Sequence, residues 1–374
     1  MPLNSLSPFF KYWRTHVVVD RQVVDAVVAP RHEGPSPDLR AALKQWPGTY
    51  YWEGSPGARR LVLIRILKAA PPERWFLHLG LFVLTFLTMW VVGSMLMSLL
   101  VRFLLLGSLD LTAELDAIRN WTAASKPALG FAFALMGILL THEMGHYITA
   151  RRYLINTSLP YFLPAPPAIN FIGTFGAFIR LRSPIVDRRQ LFDVGAAGPW
   201  AGVVVAMAVL IVGLQSSQPV TNVVGESHQF VYLFNTPWFL GDSILMDVLR
   251  RAILGDVVVA LHPLAVAGWV GVFVTMLNLL PLGQLDGGHI VYALAGKRQA
   301  TVARLMWYGL LVLGLQFPGW WIWAALILIL GRGRISHPSV LDPATQVPRS
   351  RWPLGLATAV LFIISFSVDP FPSV

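Results

Sequence analysis

The chain has 374 residues, 55% hydrophobic and only 13% charged, with a mean hydropathy of +0.60. Soluble domains carry about 25% charged residues, so this composition excludes an ordinary soluble fold and indicates a polytopic membrane protein. The absence of cysteine excludes disulfides, thiolate metal ligands and cysteine nucleophiles, and the net charge of +10 is scattered through loops, which fits anionic lipid rather than nucleic acid.

Residues 1–73 are the polar part and lack a cleavable signal pattern. An alternating stretch from Ala58 to Leu67 (ARRLVLIRIL) reads as a strand. A small α+β cytosolic module is expected, whose role is not legible; about 70 residues make only a marginal core on their own. The first span is Phe76–Val101 and the second Pro127–Ala150. The third, Leu191–Leu214, opens with Asp193 and the small-residue run GAAGPWAG (Gly195–Gly202), which reads as close helix packing in lipid. The fourth, Val257–Leu280, ends at Pro281. Residues 304–331 are apolar but interrupted at Gln316-Phe317-Pro318-Gly319, either as one kinked span or as a hairpin of two short ones. The last span is Pro353–Val368. Eleven of the 29 Lys and Arg precede Phe76, and the loop at 151–190 is also basic. The positive-inside rule then places the N-terminus in the cytosol and favours the hairpin, giving seven segments.

The second span carries His142-Glu143-Met144-Gly145-His146. On a helix, residues four apart are offset by about 40° and rise about 6 Å, so His142 and His146 share a face and can hold one Zn²⁺. Glu143 beside them is a candidate general base. A carboxylate at the centre of a membrane helix costs about 2.5–3.5 kcal/mol, so a chain that places Glu and two His there uses them. A third ligand must come from elsewhere, and Asp286 is the best candidate. It follows the helix break at Pro281 and precedes Gly287-Gly288, which let backbone approach closely. With the N-terminus in the cytosol, His142, His146, Asn278 and Asp286 all lie in the cytosolic half of the membrane. Asn278, one turn before Pro281, either holds substrate backbone or packs helices.

Leu159 to Pro167 (LPYFLPAPP) is kept extended by its prolines, and Ile172–Leu181 (IGTFGAFIRL) is β-rich and punctuated by glycine. A peptide bond inside a helix is shielded, and an edge strand can hold an unwound substrate by β-augmentation. A membrane-associated hairpin is expected at Gly173–Phe178, with Gly173, Phe175, Gly176 and Phe178 as substrate-binding candidates; a loop capping the bundle is the plainer alternative. His78 and His262 read as interfacial. His289 reads as an outer neighbour of the metal site rather than a ligand.

HEMGH at 142–146, joined to NLLPLGQLDGG at 278–288, resembles the site-2 protease family of intramembrane zinc metalloproteases. Further similarity to bacterial members and their plastid relatives lies at Gly173–Phe178 and at Asp193–Pro199, so that about residues 127–292 are covered. The resemblance implies His142, His146 and Asp286 as ligands of one zinc per chain, and Glu143 as the base. It also implies a three-helix catalytic core and transmembrane segments of other proteins as substrates. The expected fold is therefore an all-α polytopic membrane protein. Its parts are a cytosolic region (1–73), a first helix and loop (74–126), the catalytic core (127–292) and C-terminal transmembrane segments (293–374). A bacterial inner membrane is the expected location. No inserted PDZ-like domain fits in the loops at 151–190 and 215–256. A transporter and an inactive zinc-holding relative are the competing readings. The first has no need of Glu143 beside two metal-spaced His, and no inverted repeat is evident; the second would be expected to have lost Glu143.

Overall fold

A computed structural model describes residues 6–18, 21–32, 36–53, 60–66, 73–106, 121–153, 155–168, 170, 172–182, 185–220, 228–233, 236–340 and 345–372. The chain divides into two units, Met1–Pro72 and Glu73–Val374.

Among its described residues the first unit is an antiparallel sheet of order β1-β2-β4-β3 with one α-helix. Its strands are β1 (Phe10–Val18), β2 (Arg21–Val28), β3 (Gly48–Glu53) and β4 (Arg60–Ile66), and its helix is α1 (Pro37–Lys44). Ser36 starts α1 by accepting from Leu39 N–H. Leu39, Leu43 and Trp46 then cover Val24, Ala26, Leu61 and Leu63. β4 coincides with the strand read from the sequence.

The second unit is mostly helical rather than all-α. Among the described residues, three helices are long and apolar enough to cross a bilayer: α2 (Trp75–Leu106), α3 (Trp121–Arg152) and α4 (Arg188–Gln215). Their shared core includes Met89, Phe131, Leu135, Ala206 and Leu210. Close approach depends on glycine: a Cβ at Gly145 on α3 would collide with the Ala197 carbonyl of α4. Asp187 caps α4 by accepting from Gln190 N–H at 2.8 Å.

Between α3 and α4 in the chain comes a two-stranded antiparallel hairpin, β5 (Tyr161–Pro164) with β6 (Thr174–Phe178). β5 rests on α2, and β6 also faces α3. The hairpin is fixed at two levels of α2. His78 Nδ1 bonds the Pro160 carbonyl at 3.0 Å, and its ring lies 4.2 Å from that of Tyr161; ten residues on, Thr88 Oγ1 donates to the Gly173 carbonyl at 2.6 Å. His78, expected at the interface, is thus buried beneath the hairpin.

The segment after α4, read above as a plain loop, contains a four-stranded sheet of order β7-β10-β8-β9 and a helix. The strands are β7 (Gln218–Val220), β8 (Gln229–Leu233), β9 (Thr236–Phe239) and β10 (Val258–Ala260), and α5 is Ile244–Leu254. Strands of three to five residues leave almost no periodic signal, which is why no periodicity marks them. The fourth apolar segment accordingly begins only at Pro263, as α6 (Pro263–Asn278), with His262 as its cap. At 16 residues it rises about 24 Å, short of the roughly 30 Å hydrocarbon core.

After a break at 279–285 come α7 (Asp286–Ala295), α8 (Gln299–Leu313), α9 (Gly319–Leu330) and α10 (Trp352–Ser365). α8 and α9 are separate helices lying side by side. Trp321 Nε1 donates to the Leu311 carbonyl at 2.9 Å and Trp307 Nε1 to that of Ala324 at 3.2 Å. Of the two readings of residues 304–331, this arrangement is the hairpin. Arg351 grips Asp193 with two bonds of 3.1 Å, and Tyr153 donates to the same carboxylate, tying the start of α10 to α3 and α4.

Candidate metal centre

His142 and His146 sit one turn apart on α3 and turn their Nε2 atoms toward each other, 3.2 Å apart. Asp286, the first residue of α7, brings one carboxylate oxygen within 3.3 Å of each: Oδ2 to His142 and Oδ1 to His146. Both rings are buried, as is Glu143. Among the described residues, these three form the one group of His, Asp and Glu side chains close enough to share a metal ion.

The donor set fits a zinc ion. Ligands at about 2.0–2.1 Å in a tetrahedron lie about 3.3–3.4 Å from one another, and the three edges here are 3.2, 3.3 and 3.3 Å. The protonation pattern agrees. His146 Nδ1 lies 2.7 Å from the Val194 carbonyl, which can only accept. The proton therefore resides on Nδ1, and Nε2 turns a bare lone pair to the centre. The His146 lone pair and the Asp286 carboxylate, 3.3 Å apart, repel one another unless a cation stands between them.

Local sequence explains how three distant segments meet. The small-residue run of α4 does more than pack helices. Cβ atoms built at Gly198 and Gly202 would strike the His146 and His142 rings, and one at Gly195 would strike His289. The run is a glycine bed on which the two ligand imidazoles and the Cβ of His289 lie, each a turn or so apart. Pro199 inside α4 removes the helical donor to the Gly195 carbonyl. On the other side, α6 stops at Asn278, and the chain turns through Gly283 at φ +51°. Cβ atoms at Gly287 and Gly288 would overlap the carbonyls of Leu279 and Gly283, so the Asp-Gly-Gly sequence lets α7 start against the break. The far end of α7 is capped by Arg188, which donates to the carbonyls of Ala293 and Leu294 at 2.7 and 2.9 Å.

The other residues singled out in the sequence fall as follows. Asn278 places Nδ2 3.3 Å from His142 Nε2, at the rim of the three-ligand face. Glu143 approaches the backbone of Ile179, the residue directly after β6, so the hairpin ends beside this carboxylate. Phe175 and Phe178 are exposed on β6. Gly176 has φ +96° and open space around it. Gly173, at φ +81°, sits on the backbone of Thr88 and Met89, so its place is at the hairpin's contact with α2. His289 does not join the three ligands; its Nδ1 is 2.8 Å from His337 Nε2. Arg188, Gly198, Gly202 and His337 were not picked out as site residues, because their partners are remote in sequence.

Residues 130–315 match the family model described as Peptidase family M50. The chain is 33% identical over 254 residues to "Probable zinc metalloprotease EGY1, chloroplastic" of Arabidopsis thaliana, covering 65% of this chain and 43% of that protein. It is 37% identical over 218 residues to the protein of the same name from Oryza sativa subsp. japonica (55% and 35% covered), and 30% identical over 257 residues to "Probable zinc metalloprotease EGY2, chloroplastic" of Arabidopsis thaliana (66% and 42% covered). The chain thus spans less than half the length of these relatives. Their names place them in chloroplasts and lend no support to a bacterial inner membrane. No solved structure matches the chain.

Proposed function

Because residues 130–315 form a domain of peptidase family M50, the site-2 protease family, we propose that this chain is an intramembrane zinc metalloendopeptidase that cuts transmembrane segments of other proteins. The observation that carries the reading is the triangle of His142, His146 and Asp286 with tetrahedral edge lengths, buried in a bundle of membrane-length helices.

His142 and His146 would hold the zinc through Nε2 and Asp286 through its carboxylate. Bound there, zinc supplies Lewis acidity toward the attacking water and the scissile carbonyl. Glu143 takes the proton from the water on its carboxylate and delivers it to the departing amide nitrogen. The Val194 carbonyl keeps the His146 proton on Nδ1, which holds that ligand in one tautomer throughout. Asn278 at the rim positions the substrate carbonyl or the oxyanion through its amide.

A transmembrane substrate arrives as a helix and must be unwound to be cut. Among the described residues β6 is paired on one side only, and it ends beside Glu143. An extended substrate adding to its free edge runs past the base, with Phe175 and Phe178 meeting its side chains. Gly176 leaves the edge free of a Cβ, and Gly173 sets the hairpin on α2. The basic loop at 151–190 favours the cytosolic side for the end of α3 that carries the site, so water reaches the site from there.

Membrane proteomics of cells carrying the wild-type chain or Glu143→Gln tests this reading. Single-pass membrane fragments accumulating in the variant are expected. Identical membrane proteomes, with the variant expressed and zinc-loaded, would refute it.

A further inference from the structure

The motif that carries Asp286 does not hold itself in place. Between Asn278 and Asp286 the helical ladder is lost. Leu282 N–H turns back to the Leu280 carbonyl at 2.7 Å and Leu285 N–H to that of Leu282 at 3.1 Å. The Pro281 carbonyl and the Gly283 N–H are left to find partners outside the motif. Leu285, which precedes α7, offers no side-chain cap. At membrane depth such groups must be satisfied by protein.

Both partners come from later in the chain. Gln299, at the start of α8 and 1% exposed, donates from Nε2 to the Pro281 carbonyl at 3.2 Å. Its Oε1 accepts from the His337 N–H at 2.9 Å. The Gly283 N–H donates to the Ile335 carbonyl at 2.8 Å. The His337 ring then reaches α7 itself: its Nε2 lies 2.8 Å from His289 Nδ1, and the ring stacks on Tyr292 at 4.6 Å and 29°. His289 and Tyr292 follow Asp286 on the same helix. One segment, 335–337, therefore touches the backbone before Asp286 and the helix after it, and Gln299 spans the two with both ends of its amide.

We propose that Gln299 and His337 are positioning residues for the metal: together they strap the Pro281–Asp286 break to the segment after α9, so that the Asp286 carboxylate meets both imidazoles. This rests on the zinc reading above. The strap joins the α8–α9 hairpin to the third ligand, so a movement of the hairpin displaces Asp286 and leaves the two histidines in place. Gln299 suits this task by chemistry: one side chain must donate to a carbonyl and accept from an N–H on two different segments, which an amide does and a carboxylate or an aliphatic chain does not.

The test uses the full chain purified in detergent, with zinc affinity read by competition with a chromophoric chelator and ligand geometry read from the visible absorption of the cobalt(II)-substituted protein. Gln299→Met and His337→Ala are expected to lose about 10–100-fold in zinc affinity, the range for partners that orient metal ligands, and to shift the cobalt bands. Gln299→Glu, which keeps the acceptor for His337 N–H but not the donor for Pro281, is expected to lose less. A general loss of stability would not move the cobalt spectrum of the folded fraction. If Gln299→Met does not fold, His337→Ala decides alone, since it leaves the bond to Pro281 intact. Tight zinc binding by the wild-type chain, with both variants within twofold and unshifted in spectrum, overturns the strap while leaving the metal site standing. A wild-type chain that takes up no zinc overturns both.

Discussion

Gly198→Ala is the most informative single change, because it adds one methyl group and removes no functional atom. The added Cβ would fall on the His146 imidazole, overlapping Nε2 and both neighbouring carbons. The ring cannot swing away freely: its Nδ1 is tied to the Val194 carbonyl at 2.7 Å, and α3 is already in backbone contact with α4 at Gly145. Overpacking of this kind costs about 1–3 kcal/mol. If the strain is relieved by displacing the ligand, it appears as a loss of about 5- to 150-fold in zinc affinity, at 1.4 kcal/mol per factor of ten. Gly202→Ala, whose Cβ would meet His142 at 3.0 Å, is expected to lose less. Gly137→Ala, with nothing within 4 Å, is expected to bind zinc like the wild type. Chelator competition on the three purified variants gives the ranking. Unaltered zinc affinity in Gly198→Ala would show that the glycine run does not seat the imidazoles.

Asp286→Asn keeps the volume but removes the anionic ligand. It is expected to lose zinc at least tenfold more readily than wild type, measured by metal content after dialysis against a weak chelator; full retention would remove Asp286 from the ligand set. Thr88→Val cuts the 2.6 Å bond to the Gly173 carbonyl. Proteolytic nicking at 161–178 should rise and cleavage of a transmembrane substrate should fall, with zinc content unchanged; unchanged nicking would mean that this bond does not secure the hairpin. A photo-crosslinker at Phe175 or Phe178 is expected to label a bound substrate segment, whereas labelling of lipid alone would remove β6 from the substrate path.

The legible part of the site was the part written in local geometry. His142 and His146 are placed by the helical repeat alone, and Asp286 by a proline break followed by two glycines, so their meeting could be expected from the sequence. The glycine run at 195–202 was visible as small residues, but what it packs against depends on the rotation of α3, which no local pattern encodes. Gln299, Ile335 and His337 act on the break from 18 to 56 positions beyond Pro281, as isolated residues without a repeat or motif. The β7-β10-β8-β9 sheet was missed for a different reason: β10 joins β7 and β8 across long connections, and its parallel contact with β8 has no sequence signature. The hairpin at 161–178 was recoverable because prolines on one side and glycine-spaced β-formers on the other both mark it.

In the proposed reaction a zinc held by His142, His146 and Asp286 works with Glu143 as the base. Its most direct test is Glu143→Gln, purified in parallel with the wild-type chain and assayed on a transmembrane segment in bicelles, with metal content read on the same samples. One zinc per chain in both proteins, with cleavage by the wild type and none by the variant, is the predicted result. Cleavage by Glu143→Gln at the wild-type rate, with zinc still bound, would contradict it.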